Sequence, residues 1–126
     1  MTVSLDTIIF FVRDVDRLKN FYTSFFHFEV LEEIPAEWVL LKAGKAKLGL
    51  HKIGKQYLDG QKPVAQSESN CKIVFNISDD IVAFRDMLLS QNVAMREIKK
   101  FDGSDYLVCD GEDPEGNVFQ LKQMKI

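Results

Sequence analysis

The signals for strand and helix run through the same order twice, and that repetition limits the fold more than any other feature of the chain. Residues 5–12 end in the apolar run Ile8-Ile9-Phe10-Phe11-Val12 and read as a buried strand. Asp14 follows as a helix N-cap. Val15, Leu18, Phe21, Tyr22 and Phe25 then recur every three or four residues, which predicts an amphipathic helix over 15–26 with Asp16, Arg17, Lys19 and Asn20 outward. Three strands follow: Phe28 to Ile34, stopped by Pro35; Trp38 to Lys42; and, across the Gly44-Lys45 turn, 46–52. The second half restarts with a strand at 71–77 and a cap at Ser78 or Asp79. A helix over 80–91 turns Ile81, Phe84, Met87 and Leu88 inward. Strands at 93–99, 106–109 and 117–124 complete it, with turns at Asp102-Gly103 and at 111–116. Asp14 and Asp79 stand 65 positions apart, a period that reads as internal duplication.

Each βαβββ unit makes a small sheet with a helix on one face and leaves the other face bare. The expected architecture is therefore α+β: two tandem modules, about 4–53 and 70–126, forming a curved mixed-sheet cup within a single domain of 126 residues. The polar, glycine-containing stretch 54–69 joins them as a long surface connection, for which covering a pocket is one open role.

Composition narrows the function classes. The content is 46% hydrophobic and 28% charged, which is globular and excludes a coiled coil or a disordered tail. A net charge of −3 argues against a nucleic-acid partner. No apolar run approaches the length of about 20 residues that spans a bilayer. No basic stretch leads into a long apolar one, so neither a membrane partner nor a signal peptide is expected. Cys71 and Cys109 lie in separate strands without CxxC spacing. They are expected to be inert buried thiols, in keeping with a reducing cytoplasm.

Four stretches resemble the vicinal-oxygen-chelate superfamily, which includes glyoxalase I, bleomycin- and fosfomycin-resistance proteins and extradiol dioxygenases. They are Phe11-Val12-Arg13-Asp14-Val15-Asp16-Arg17-Leu18-Lys19-Asn20-Phe21-Tyr22, Leu48-Gly49-Leu50-His51, Val74-Phe75-Asn76-Ile77-Ser78-Asp79 and Asp113-Pro114-Glu115-Gly116-Asn117. The resemblance covers nearly the whole chain and implies the same paired-module fold, commonly as a homodimer. In metal-dependent members it implies one divalent cation held by His, Glu or Gln from the first, fourth, fifth and last strands. Carried over position by position, those sites fall on Thr7, Gly49, Lys72 and Gln120, with His51 two residues beyond Gly49 on the same face. A hydroxyl, a glycine, an ammonium and an amide make a poor donor set, so no metal cofactor is expected.

The ligand-binding candidates are Thr7, Ile9, Phe11, His51, Lys72, Asn76 and Gln120: a few polar groups in a surround that includes Val74 and Val118. His51 is either a general base or ligand contact, with Glu112 or Asp110 as partner, or a strand-end bystander. Lys72 either meets an anionic ligand or sends its stem across the sheet to water. Trp38 and Tyr57 are open between pocket lining and core or surface. His27 stands where the family commonly has glycine and is read as structural, in a position that often needs a left-handed backbone. Glu115, Lys99-Lys100, Lys122 and Lys125 read as solvated.

Three functions follow as expectations. The first is a metal-free protein holding an organic small molecule, for which an acidic surface suits a cationic guest. The second is a glyoxalase-type lyase, isomerase or dioxygenase with a rearranged metal site using His51 and Gln120. The third is a metal-free enzyme with His51 as base and Lys72 as oxyanion partner.

Overall fold

A computed structural model describes residues 1–55 and 70–124. Of the connection 54–69, the segment 56–69 lies outside the described residues, and with it Tyr57; so does Lys125. The chain divides into two compact units, Met1–Lys62 and Pro63–Ile126. Each holds one helix and a four-stranded mixed sheet, so the fold is α+β with the expected βαβββ order in both.

In the first unit β1 (Thr7–Val12) leads into α1 (Val15–Phe26), then β2 (Glu29–Ile34), β3 (Trp38–Ala43) and β4 (Ala46–Lys52). The strand order is β1-β4-β3-β2, with β1 parallel to β4 and the other pairs antiparallel. Asp14 caps α1 as expected, its side chain accepting from the Arg17 N–H. The helix ends at His27, whose φ of 58° is the left-handed C-cap expected at that position. Val15, Leu18, Phe21 and Tyr22 bury one stripe of α1 against β3 and β4. There they meet Val39, Leu41, Leu48 and Leu50, all buried. Burying each such side chain contributes roughly 1.5–3 kcal/mol. Phe26 and Phe28 pack on Tyr22, and Phe25 on Phe21, so these rings serve packing. The outer strand β2 is exposed and carries Glu29, Glu32 and Glu33, charges that discourage pairing with another edge.

The second unit repeats the plan with β5 (Lys72–Asn76), α2 (Ile81–Ser90), β6 (Met95–Lys99), β7 (Tyr106–Glu112) and β8 (Val118–Met124), in the order β5-β8-β7-β6. Three expectations are corrected here. The N-cap of α2 is Asp80, not Ser78 or Asp79: its carboxylate accepts from the Val82 N–H. The Ile81 N–H is instead satisfied by Gln123 Oε1 at 2.7 Å, a bond from β8 that no local signal announces. Of the apolar residues expected inward, Ile81 and Leu88 are buried, Phe84 is half-buried and Met87 is exposed. At 3.6 residues per turn Met87 falls on the flank of the stripe set by Ile81, Phe84 and Leu88. β7 runs to Glu112 rather than stopping at Cys109, because pairing with β8 continues through Glu112↔Val118.

The turn after β7 is organised by Asp113, a buried carboxylate. Its Oδ1 accepts from the N–H groups of Glu115 and Asn117, and both oxygens accept from Asn117 Nδ2. Glu115 is half-buried rather than fully solvated. Cys109 is buried, and burial pushes its thiol pKa up. Cys71 is exposed, which corrects the expectation of a buried thiol; it precedes β5 and escapes the sheet. No described helix is long and apolar enough to cross a membrane.

Candidate functional site

The helix covers one face of each sheet. The opposite, open face is where the sequence candidates stand, and strand register fixes which residues share it.

In the first unit Thr7, Ile9 and Phe11 pair with Lys47, Gly49 and His51, and Trp38 and Leu40 pair in turn with His51 and Gly49. Directly paired residues project to the same side, so all of these stand on the open face. At one end three rings meet. His51 lies 5.4 Å from Phe11 and 6.0 Å from Trp38, both edge to face. Phe11 is 67% exposed, so this aromatic corner is open in the first unit. Trp38 Nε1 donates to Glu32 Oε1 at 3.3 Å, which ties the indole toward β2. The ring lies across Gly49: a Cβ added there would come within 2.6 Å of Trp38 Cη2 and 3.0 Å of Ile9 Cγ1. The glycine therefore serves as the seat of an indole. At the other end Thr7 donates its hydroxyl to Asp6, which also accepts from Lys47 at 3.1 Å. These two hydrogen bonds, with the Lys47 charge, hold the Asp6 carboxyl below the usual range.

In the second unit Lys72, Val74 and Asn76 pair with Val118, Gln120 and Lys122, and β7 adds Tyr106, Val108, Asp110 and Glu112 to the same face. At its centre is one compact polar group. Lys72 Nζ donates to Asp110 Oδ2 at 2.8 Å, and Gln120 Nε2 donates to Asp110 Oδ1 at 3.0 Å. Partial burial pushes the Asp110 carboxyl up. The hydrogen bonds from Lys72 and Gln120, with the charge of Lys72, outweigh burial and leave it below the ordinary carboxylate value. Lys122 is not a solvated strand end: its Nζ sits 4.4 Å over the Tyr106 ring. Glu112 reaches Arg96 at 3.7 Å.

All seven candidates thus fall on open faces, four in the first unit (Thr7, Ile9, Phe11, His51) and three in the second (Lys72, Asn76, Gln120). The carboxylates considered as partners for His51 are engaged elsewhere, Asp110 by Lys72 and Gln120 and Glu112 by Arg96. His51 Nδ1 is 2.8 Å from the Lys52 carbonyl. Sequence reasoning missed Asp110 as the partner of Lys72, and left Trp38 undecided. The signal for both is register, which places Asp110 beside Gln120 and Trp38 beside His51.

Two βαβββ units, each with a helix on one sheet face and the candidate side chains on the other, are the plan of a known superfamily fold. The chain belongs to the Glyoxalase/Bleomycin resistance protein/Dioxygenase superfamily, whose family profile matches residues 4–121. No curated protein matches the chain. Solved structures do. Lactoylglutathione lyase from Agrobacterium tumefaciens is similar with a TM-score of 0.73 at 14% identity, over 97% of this chain and 94% of that one. The fosfomycin resistance protein FosX of Listeria monocytogenes gives 0.72 at 14%, over 100% and 95%. TnmS3, an antibiotic binding protein from Streptomyces sp. CB03234, gives 0.74 at 22%, over 99% of each chain. At these identities the likeness carries the fold alone.

Proposed function

We propose that this protein binds an organic small molecule on its open sheet faces without a metal ion. One observation carries the reading: the fourth-strand position that supplies a metal ligand in the metal-dependent relatives is Gly49, and an indole lies on it. The remaining positions agree. Thr7 gives its hydroxyl proton to Asp6, Lys72 is an ammonium, and the Gln120 amide is turned to Asp110. Among the described residues no three His, Cys, Asp or Glu side chains converge on a point. A divalent cation needs imidazole or carboxylate donors whose charge offsets its own, and the donor set here does not fit one. The open faces suit a ligand instead. Phe11, Trp38 and His51 offer ring surface, and Lys72, Asp110 and Gln120 offer a few fixed polar groups.

A rearranged metal centre on His51 and Gln120 has less to support it: the Gln120 amide donates to Asp110, the carboxylate beside it is taken up by Lys72, and His51 Nδ1 lies 2.8 Å from the Lys52 carbonyl. A homodimer and a cytoplasmic location are part of the proposal, the latter resting on a sequence whose two cysteines lack the spacing of a disulfide framework.

The test has two arms. The purified protein is incubated with Zn²⁺, Ni²⁺, Mn²⁺ and Fe²⁺, freed of excess and assayed for metal. No retained ion is expected, and about one per chain or per dimer would overturn the metal-free reading. Trp38, the only tryptophan, then reports a screen of small aromatic and aliphatic ligands. Saturable changes in its emission without turnover are expected; turnover would make the protein an enzyme.

A further inference from the structure

We propose that the open face of the second unit is a receptor for an organic anion, a molecule with an apolar body and one carboxylate- or sulfonate-like group that meets the Lys72 ammonium. The proposal rests on the small-molecule reading above and adds the charge of the guest, in the opposite sense to the one suggested by the net charge of −3.

Local charge decides this. Lys72 and Lys122 stand on the open face by register with β8, and Lys99 by its pairing with Val108. Against these three cations the register sets Asp110, while Glu112 is answered by Arg96 and the exposed Glu97 lies in the β6 irregularity between Met95 and Ile98, outside the pairing. Among the described residues the second unit's open face is therefore cationic on a chain that is acidic as a whole. A local excess of this kind steers and holds the opposite charge better than net charge predicts.

The geometry also fits a receptor better than a strut. Asp110 takes one of the three donors an ammonium carries. The Lys72 side chain is 44% exposed, whereas that of Asp110 is 25% exposed. Both Asp110 oxygens are occupied, one by Lys72 and one by Gln120, so the carboxylate is spent on positioning the ammonium. Val74, 48% exposed beside Gln120, gives the face an accessible apolar floor next to Lys72, with Val108 and Val118 already buried beneath it. A guest that covers this floor excludes water and strengthens the contact between its anion and Lys72.

The experiment compares two fluorescent probes with the same kind of ring body: anilinonaphthalene sulfonate, an anion, and phenylnaphthylamine, which lacks the sulfonate. The intact protein is expected to bind the sulfonate at least about fivefold more tightly, the factor that one unit charge about 4 Å away supplies at the dielectric of water. That preference should shrink as NaCl rises from about 0.05 M to about 0.5 M, while neutral-probe binding holds. Lys72→Met should abolish the preference and spare the neutral probe. Asp110→Asn, which keeps an acceptor but deletes the charge, should tighten the sulfonate. Lys45→Met, in the β3–β4 turn of the other unit, should change neither. Equal binding of both probes, or a salt-independent preference, would overturn the anion receptor and leave the small-molecule reading standing. Asp110→Asn weakening the sulfonate as much as Lys72→Met would make the ion pair a strut and also overturn it. Failure of both probes to bind would overturn both readings.

Discussion

At Gly49 a single missing methyl group decides what the open face of the first unit can present. The built Cβ would lie 2.6 and 2.9 Å from two carbons of the Trp38 ring, distances that real side chains do not hold. Trp38 is partly exposed and its ring can swing outward, so Gly49→Ala should expel the indole rather than unfold the protein. The expected outcome is emission shifted to longer wavelength as the lone tryptophan enters water, with a stability loss of about 1–2 kcal/mol in urea unfolding. An unshifted spectrum would show that the ring does not depend on the glycine. That the seven candidate residues share the sheet faces opposite the helices was legible in the sequence because a strand alternates with period two, so one correctly placed residue places its whole row. Their partners were not legible. Lys72 and Asp110 are 38 positions apart, and only the β5–β8 and β7–β8 registers bring them together. Trp38 was ambiguous for the same reason: its neighbours Gly49 and His51 come from the facing strand.

Among the elements, the start of α2 shows where local reading stops. Asp79 and Asp80 are adjacent, and either suits a helix N-cap by type. The chain resolves the choice through its neighbours: Asp80 receives the Val82 N–H at 2.9 Å, and the next donor, that of Ile81, is met from β8 by Gln123. Asp80→Ala should therefore cost about 1 kcal/mol, while Asp79→Ala should be close to neutral. Denaturant midpoints of the two variants, compared with the parent, decide the matter; equal losses would mean that the cap is shared. The helix boundaries were otherwise readable to within a residue or two, since Val15, Leu18, Phe21 and Tyr22 keep the 3.6 period in the first unit. In the second unit the outer face of α2 is itself apolar, with Val82, Met87 and Leu89 exposed. Periodicity cannot separate an inner from an outer stripe when both are apolar, which is why Met87 was misplaced.

For the molecule as a whole, duplication is preserved in register rather than in spacing. Thr7, Ile9 and Gly49 in the first sheet hold the same pairing relation as Lys72, Val74 and Gln120 in the second. The caps, Asp14 and Asp80, have drifted to 66 positions apart, while β1 and β5 stay offset by 65. One added residue between β5 and α2 absorbs the difference without disturbing the sheet. Each unit leaves apolar side chains on its open face: Ile9 and Phe11, 46% and 67% exposed, in the first and Val74, 48% exposed, in the second. Ile34 at the end of β2 and Met124 at the end of β8 are exposed as well. Ile9 and Phe11 share one row of β1, and an exposed apolar row of this kind is a surface on which a second copy can pair. Light scattering on a sizing column at micromolar concentration is therefore expected to return twice the chain mass. Apolar contacts are not screened by ions, so the dimer should persist at about 1 M NaCl, where a contact made by surface ion pairs would loosen. A species of single-chain mass across that range would remove the homodimer from the proposed function. A dimer that dissociates in salt would move the contact from the apolar rows to ion pairs between unlike surface charges.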